Sequence, residues 1–173
     1  MARELAWSIR PTARAIGRRG VVKRLLLAAM SAGAGALLGC KSGPPPVARV
    51  SGNISAAPGV NLSVSQRPSP LRLRLYELKS ATAFNQADFM SLYQSDQATL
   101  GPDILSREEF VLQPDEARPY AKVLAPETRY LGVVALYRDL ERATWRAVAA
   151  VQPGKAHALQ IRADSQAVSM TVQ

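Results

Sequence analysis

The chain has 173 residues, with 22 Lys and Arg against 13 Asp and Glu, one His and one Cys, and a formal charge of +9. A single Cys excludes an intramolecular disulfide and a Cys-rich metal site, and a single His excludes a His-cluster metal centre. A charge of +9 is typical of nucleic-acid-binding proteins, but +6 of it lies in residues 1–39. The remaining 134 residues carry +3 and are enough for one domain.

The first predicted element is a secretory signal over residues 1–39. The basic run that ends at Arg24 precedes 15 uncharged, mostly apolar residues, whereas a membrane-spanning helix needs about 20. Leu37-Leu38-Gly39-Cys40 resembles the lipobox of bacterial lipoproteins, in which the Cys is lipidated, the signal is cut before it and the new amino terminus is acylated. We therefore expect Cys40 to be the lipid attachment site. The alternative is a Cys buried by chance in a short membrane anchor.

The residues around the lipobox suggest where the chain is sorted. In lipoproteins an Asp directly after the Cys favours the inner membrane, so Lys41 implies the periplasmic face of the outer membrane. Residues 17–23, which contain Arg18-Arg19, are similar to a twin-arginine signal, and the choice between this and the general secretory route stays open. Residues 40–47 include three consecutive prolines and predict an extended tether of roughly 25 Å.

Residues 48–173 follow mostly a two-residue hydrophobic period, which predicts strands. Turn pairs such as Pro58-Gly59 and Pro153-Gly154 separate the apolar segments. Because each strand has one apolar face to bury, we predict an all-β, two-sheet antiparallel sandwich. Its eight strands are expected near residues 50–56, 71–76, 110–112, 120–124, 130–137, 145–151, 158–163 and 168–172.

One segment, residues 80–101, departs from this period and predicts a single helix between the second and third strands. Asn85 is the expected cap, and Phe89, Leu92 and Tyr93 then share one face. We expect this face to pack on the sheet. The alternative, an aromatic stripe that binds a cofactor, is less favoured.

Six motifs occur in a recognisable order along the predicted domain. They are RPSPLRLRLYEL (67–78), AFNQADF (83–89), ATLG (98–101), REEF (107–110), YLGVVA (130–135) and ATWR (143–146). Over residues 47–173, together with the lipobox, the chain resembles the TssJ family of outer-membrane lipoproteins of type VI secretion systems. The resemblance implies a transthyretin-like sandwich with an added helical segment. It also implies a structural role, in which the lipoprotein anchors the secretion membrane complex to the outer membrane by binding the periplasmic carboxy-terminal part of the inner-membrane protein TssM.

In that family the loop between the first two strands makes the contact with TssM. Here the loop corresponds to residues 58–70, and it is unusually apolar for exposed chain, which fits an interface. The alternative is that its three apolar residues extend a strand. The partner-binding residues implied by the resemblance are Val60, Asn61, Leu62, Val64, Gln66 and Arg67.

The other chemical groups favour a scaffold over an enzyme. His157 is expected at the surface without a catalytic or metal partner, and Glu108 and Glu109 are expected on opposite faces of a strand. Arg72 and Arg74 predict a solvated strand edge. We expect no catalytic residue, metal, nucleic acid or small-molecule substrate, and no cofactor besides the lipid on Cys40. A ligand-binding lipoprotein of the same fold and a transthyretin-like hydrolase are the alternatives.

Overall fold

The computed structural model describes residue 43 and residues 45–173. The predicted signal over 1–39, Cys40 and most of the tether lie outside the described residues. The elements in chain order are β1 (Arg49–Ala56), β2 (Leu71–Leu78), α1 (Thr82–Gln86), α2 (Phe89–Leu100), a 3₁₀ turn (Gly101–Asp103), β3 (Ile104–Leu112), β4 (Ala117–Val123), β5 (Tyr130–Ala135), β6 (Arg146–Ala150), β7 (Ala156–Ala163) and β8 (Val168–Val172).

The strands form two four-stranded sheets that pack face to face. The first sheet has the order β4-β1-β7-β8 and the second has the order β3-β2-β5-β6. Inward-facing side chains from both sheets, among them Ile54, Leu73, Leu131 and Ile161, share one core. The predicted sandwich is confirmed, with all eight strands present, although β3 begins at residue 104 rather than 110. Within it β1 and β7 run parallel, and the other neighbouring strands are antiparallel.

The second sheet is buried on both of its faces. Tyr76 and Val134 point away from the sandwich core and pack against Phe84 and Leu92 of the helical segment. A Cβ atom at Gly132 would lie 2.8 Å from the Phe84 ring, so a glycine is needed where α1 approaches the sheet. The inserted segment therefore covers apolar surface that the sandwich itself leaves open.

The helical segment differs from the prediction because it contains two helices. Asp88, not Asn85, is the cap that begins α2: its backbone is extended and its Oδ1 accepts a hydrogen bond from the Ser91 N–H at 2.9 Å. Asn85 lies inside α1. A second departure from a single helix is the kink in α2 at Ser95, whose φ and ψ are −145° and 44°.

Arg74 supplies donors to the backbone just before this kink. Its Nη1 donates to the carbonyls of Leu92 and Tyr93, at 3.2 and 2.9 Å, where the kink interrupts helical hydrogen bonding. Its Nε donates to Glu109 Oε2 at 2.9 Å. The predicted solvated edge is therefore wrong, because β2 is a central strand. The side chain of Arg74 is 12% exposed because α2 lies against it. Arg72 is 49% exposed and reaches the same Glu109 at 3.4 Å.

We expect Arg74→Met to lower the free energy of unfolding by about 2–3 kcal/mol, because it leaves two carbonyls without a charged donor and removes the shorter of the two ion pairs of Glu109. Arg72→Met is the matched control, since it removes an exposed ion pair with the same carboxylate and should cost less than about 1 kcal/mol. Urea denaturation measures both values. Equal losses in the two variants would show that Arg74 does not hold the helix.

Glu77 of β2 connects the two sheets through a buried carboxylate that is 4% exposed. Its Oε1 accepts from Lys122 of β4 at 2.6 Å and from Ser106 at 2.7 Å, and its Oε2 accepts from Thr128 and the Ala125 N–H at 2.7 and 2.8 Å. Burial alone raises the pKa of a carboxyl group. Here the four donors outweigh that effect and hold the pKa of Glu77 below its ordinary value.

This lowered pKa predicts a loss of stability in acid. The contribution of the ionised Glu77 is complete above the unfolded-state value of 4.5 and is lost as the pH falls through the lower folded-state value. We expect Glu77→Gln to be destabilising at pH 7, by about 3 kcal/mol, and to flatten the fall in unfolding free energy below pH 4.5. Glu127→Gln, at an exposed carboxylate, is the control. An unchanged acid slope in Glu77→Gln would contradict the assignment.

Candidate partner-binding site

The direction of β1 places the start of the domain and the β1–β2 loop at opposite ends of the sandwich. At the start of β1, the Leu124 N–H donates to the Ala48 carbonyl and the Arg49 N–H donates to the Lys155 carbonyl, both at 2.9 Å. We call this the tether end, formed by residues 45–48, 124–129 and 151–155. The loop over residues 57–70 leaves the other end of β1, eight residues or roughly 26 Å away.

The β1–β2 loop is organised by its own hydrogen bonds. Val60 is fully buried, and its carbonyl accepts from the Ser69 N–H at 3.2 Å. Farther out, the Ser63 N–H donates to the Arg67 carbonyl at 2.8 Å, and the Arg67 N–H donates to Ser63 Oγ at 3.1 Å. The side chain of Val64 at the tip is fully exposed. The loop is thus a preformed projection with an apolar tip.

Asn61 fixes this loop to its neighbour, the β5–β6 loop over residues 136–145. Its side chain donates from Nδ2 to the Pro70 carbonyl at 2.8 Å and accepts at Oδ1 from the Arg138 N–H at 2.9 Å. The residue is buried and has a φ of 51°, a left-handed conformation that Asn tolerates better than most side chains. The position of one loop therefore depends on the other.

A cleft of about 480 Å³ lies between these two loops and the β7–β8 turn over residues 164–167. The phenol of Tyr137 donates to the Asp164 carbonyl at 3.0 Å, which ties the β5–β6 loop to the turn. Burial raises the pKa of Tyr137, so the phenol remains a neutral donor. We call this the cleft end of the sandwich. Its lining residues are Asn61, Leu62, Ser63, Val64, Gln66, Tyr137, Arg138, Asp139, Arg142, Ser165 and Gln166.

The structure divides the six predicted partner-binding residues into two groups. Val60 and Asn61 are buried and support the loop, so they offer no side-chain surface to a partner. The alternative in which the apolar residues extend a strand is wrong, because residues 57–70, all described, contain no strand. Partner binding by the loop stays a prediction. The side chains available for it are Leu62, which is half-buried, and Val64, Gln66 and Arg67, which are exposed.

The second wall of the cleft is formed by the β5–β6 loop, and the sequence pattern does not predict it. This wall consists of Arg138, Asp139 and Arg142 in the irregular loop after β5. Nothing in the local sequence indicates that Arg138 contacts Asn61, which lies 77 residues earlier. Asp139 Oδ2 lies 3.7 Å from Arg142 Nη1 and 3.5 Å from Gln166 Nε2. The cleft therefore combines an apolar wall with a charged one.

The other chemical groups singled out in the sequence have structural surroundings. His157 is not at the surface: it is 8% exposed because it faces inward on β7, and its Nε2 lies 3.1 Å from both the N and the O of Gln152. Glu108 and Glu109 do lie on opposite faces, with Lys122 and Arg74 as their respective partners. Over the described residues no His, Cys, Asp and Glu group is placed to hold a metal ion, and no helix is long and apolar enough to cross a membrane.

Comparison with known proteins gives a consistent result. Residues 48–166 match the T6SS-SciN family of type VI secretion lipoproteins, described by the names VasD, EvfM and TssJ. The type VI secretion lipoprotein TssJ1 of Pseudomonas aeruginosa is 44% identical, with a TM-score of 0.71 over 74% of this chain and 98% of that one. Serratia marcescens Lip, a membrane-bound component of the type VI secretion system, is 26% identical, with a TM-score of 0.66 over 74% and 99%. No curated protein matches this chain.

A third similar chain belongs to a structure described as the TssM C-terminal domain (869–1107) from EAEC. It is 23% identical, with a TM-score of 0.58 over 71% of this chain and 97% of that one, which shows a shared fold alone. The matched chain is about half as long as residues 869–1107, because 71% of the present 173 residues spans nearly all of it. The likeness is therefore not to the whole of that fragment.

We expect Asn61→Gly to destabilise the domain by about 1–3 kcal/mol. The change relieves a positive φ, but it removes the partner of the Arg138 N–H and of the Pro70 carbonyl in two part-buried hydrogen bonds. Gln66→Gly is the matched control, since Gln66 has a φ of 57° and an exposed side chain, and this change should be neutral or slightly stabilising. Urea denaturation and hydrogen exchange over residues 60–70 and 136–140 measure the effects. Equal responses of the two variants would show that Asn61 does not join the loops.

Proposed function

Since this chain belongs to the type VI secretion lipoprotein family that includes TssJ, we propose that it anchors the membrane complex of the secretion system to the outer membrane by binding the periplasmic carboxy-terminal domain of a TssM-type inner-membrane protein. The family consists of structural secretion lipoproteins, and the chain is a structural lipoprotein and not an enzyme. The proposal concerns its partner, its membrane and the surface that binds.

The position of the β1–β2 loop carries this proposal. A lipid on Cys40 holds the tether end toward the membrane, and the loop then projects from the opposite end of the sandwich, roughly 26 Å farther into the periplasm. A partner that reaches across from the inner membrane meets the cleft end first. The loop therefore lies where such a partner can bind without contact with the outer membrane.

The chemistry of the loop also fits a protein interface. Val64 is fully exposed and Leu62 is half-buried beside it, while Ser63 and Gln66 surround them with polar groups. An apolar centre with a polar rim is typical of interfaces, and the preformed loop lowers the entropy lost on binding. In keeping with this, chains of the same fold occur in the structure described as the TssM C-terminal domain and in one described as a type VI membrane complex.

We expect Val64→Asp to weaken binding to the TssM periplasmic domain of the same bacterium at least tenfold, because a charge replaces an apolar anchor that becomes desolvated. The unfolding free energy should change by less than about 0.5 kcal/mol, since the side chain is exposed. Val123→Asp, at an exposed valine at the end of β4, is the matched control and should bind as the unaltered chain does. Calorimetric titration measures the affinities, and absence of binding by the unaltered chain would refute the proposed function.

We further propose that Cys40 carries the lipid and that Lys41 directs the chain to the outer membrane. One acyl chain anchors a protein only marginally, whereas several acyl chains on one residue make release negligible. Cys40→Ser should therefore be lost from the outer-membrane fraction, and Lys41→Asp should remain in the inner-membrane fraction. Ser42→Ala is the control, with the distribution of the unaltered chain. Outer-membrane recovery of Cys40→Ser would show that the anchor lies elsewhere.

A further inference from the structure

The charged wall of the cleft contains two arginines that have no close carboxylate partner among the described residues. Arg138 is exposed, and its backbone is held in place by Asn61. Within the described part of the chain Arg138 forms no ion pair, and neither does Arg67 on the neighbouring loop. Arg142 is 78% exposed, and its contact with Asp139 is long, at 3.7 Å. The two loops at the cleft end thus carry three arginines against two carboxylates, those of Asp139 and Glu141. Of these charged residues, Arg138, Asp139 and Arg142 line the cleft itself.

Several arginines elsewhere in the domain have a close carboxylate partner. Arg74 lies 2.9 Å from Glu109, Arg107 lies 2.7 Å from Asp96, and Arg162 forms a 3.1 Å contact with Asp164. Arg138 and Arg142 lack such a close partner in the described part of the chain. Exposed cations at the tether end, such as Arg129, lack one there as well, but Arg138 and Arg142 also line a cleft that contains apolar side chains. An exposed ion pair such as that of Arg142 contributes little to stability, so it can exchange for a carboxylate from another molecule.

We propose that the cleft binds an extended, acidic segment of the protein partner. Carboxylates of the segment pair with Arg138 and Arg142, and an adjacent apolar side chain packs against Leu62 and Val64. Guanidinium groups form directional, bidentate pairs with carboxylates, which suits two arginines on a preformed wall. This inference rests on the proposed function and names the chemistry by which the same site recognises its partner.

The remaining lining of the cleft supports a peptide as the occupant. Ser63, Ser165 and Gln166 line it with short polar side chains that match backbone donors and acceptors. A volume of about 480 Å³ holds a short segment and not a whole helix or a broad surface. The cations belong to the β5–β6 loop and the apolar residues to the β1–β2 loop, on the facing wall of the cleft. A segment in which acidic and apolar residues alternate can therefore contact both walls.

The experiment compares two double charge reversals in the mature, acylated chain in detergent. Arg138→Glu with Arg142→Glu should weaken binding to the TssM periplasmic domain at least tenfold at 50 mM salt. It should also reduce the salt dependence of the affinity, because screened charge pairs are lost. Arg129→Glu with Lys155→Glu makes the same change in net charge at exposed cations of the tether end and is the matched control. It should bind within about twofold of the unaltered chain.

Each outcome separates this inference from the proposed function. Equal weakening by both double variants would show that bulk charge acts, and it would overturn the inference. Tight binding by the cleft-end variant while Val64→Asp fails to bind would also overturn it and would leave the proposed function intact. No binding by the unaltered chain would overturn both. If urea denaturation shows that the double reversal unfolds, Arg138→Gln with Arg142→Gln replaces it, with an expected loss of at least threefold.

Discussion

The layout of the domain depends on β1 and its position at the centre of the first sheet. The strand is hydrogen-bonded on both sides, to β4 and to β7, and it runs from the tether end to the cleft end. At Gly52 a Cβ atom would lie 1.7 Å from the Leu159 carbonyl, so the close approach to β7 requires glycine there. Because β1 is held along its whole length, the separation between the tether end and the β1–β2 loop is set by the strand and not by flexible chain.

The two sheets differ in what covers their outer faces. The outer face of the second sheet is covered by α1 and α2, which Arg74 and Arg146 hold through backbone carbonyls. The buried carboxylates Glu77 and Asp96 both have hydrogen-bond partners. Burial alone would raise the pKa of each, but these hydrogen bonds outweigh it and lower both pKa values. The cleft end, in contrast, has exposed charges without a close partner, since Arg138 forms no ion pair within the described chain and Arg142 lies 3.7 Å from Asp139.

The period of the sequence was sufficient to predict the eight strands and the position of the helical insertion, because each depends on which neighbouring residues are apolar. The parallel pairing of β1 with β7 was not predictable, since it joins residues more than 100 positions apart. The same limit applies to Arg74, which alternates with leucines as a solvent-facing residue does and is buried by a helix that follows later. In the loop, Val60 and Val64 are the same residue type and cannot be distinguished by hydrophobicity. Only the tertiary fold buries Val60 in the core and leaves Val64 exposed at the tip.

The anchor and the binding site also determine how the domain is loaded under the proposed function. Tension between an outer-membrane lipid and an inner-membrane partner enters at the start of β1 and leaves through the loop that follows it. The load therefore runs parallel to β1 and acts across the ladders with β4 and β7, so that many hydrogen bonds resist together rather than in sequence. Asn61 extends this connection, because it joins the loop to the β5–β6 loop and hence to the second sheet. This arrangement therefore suits the role proposed for the chain, in which the domain carries a load between two membranes.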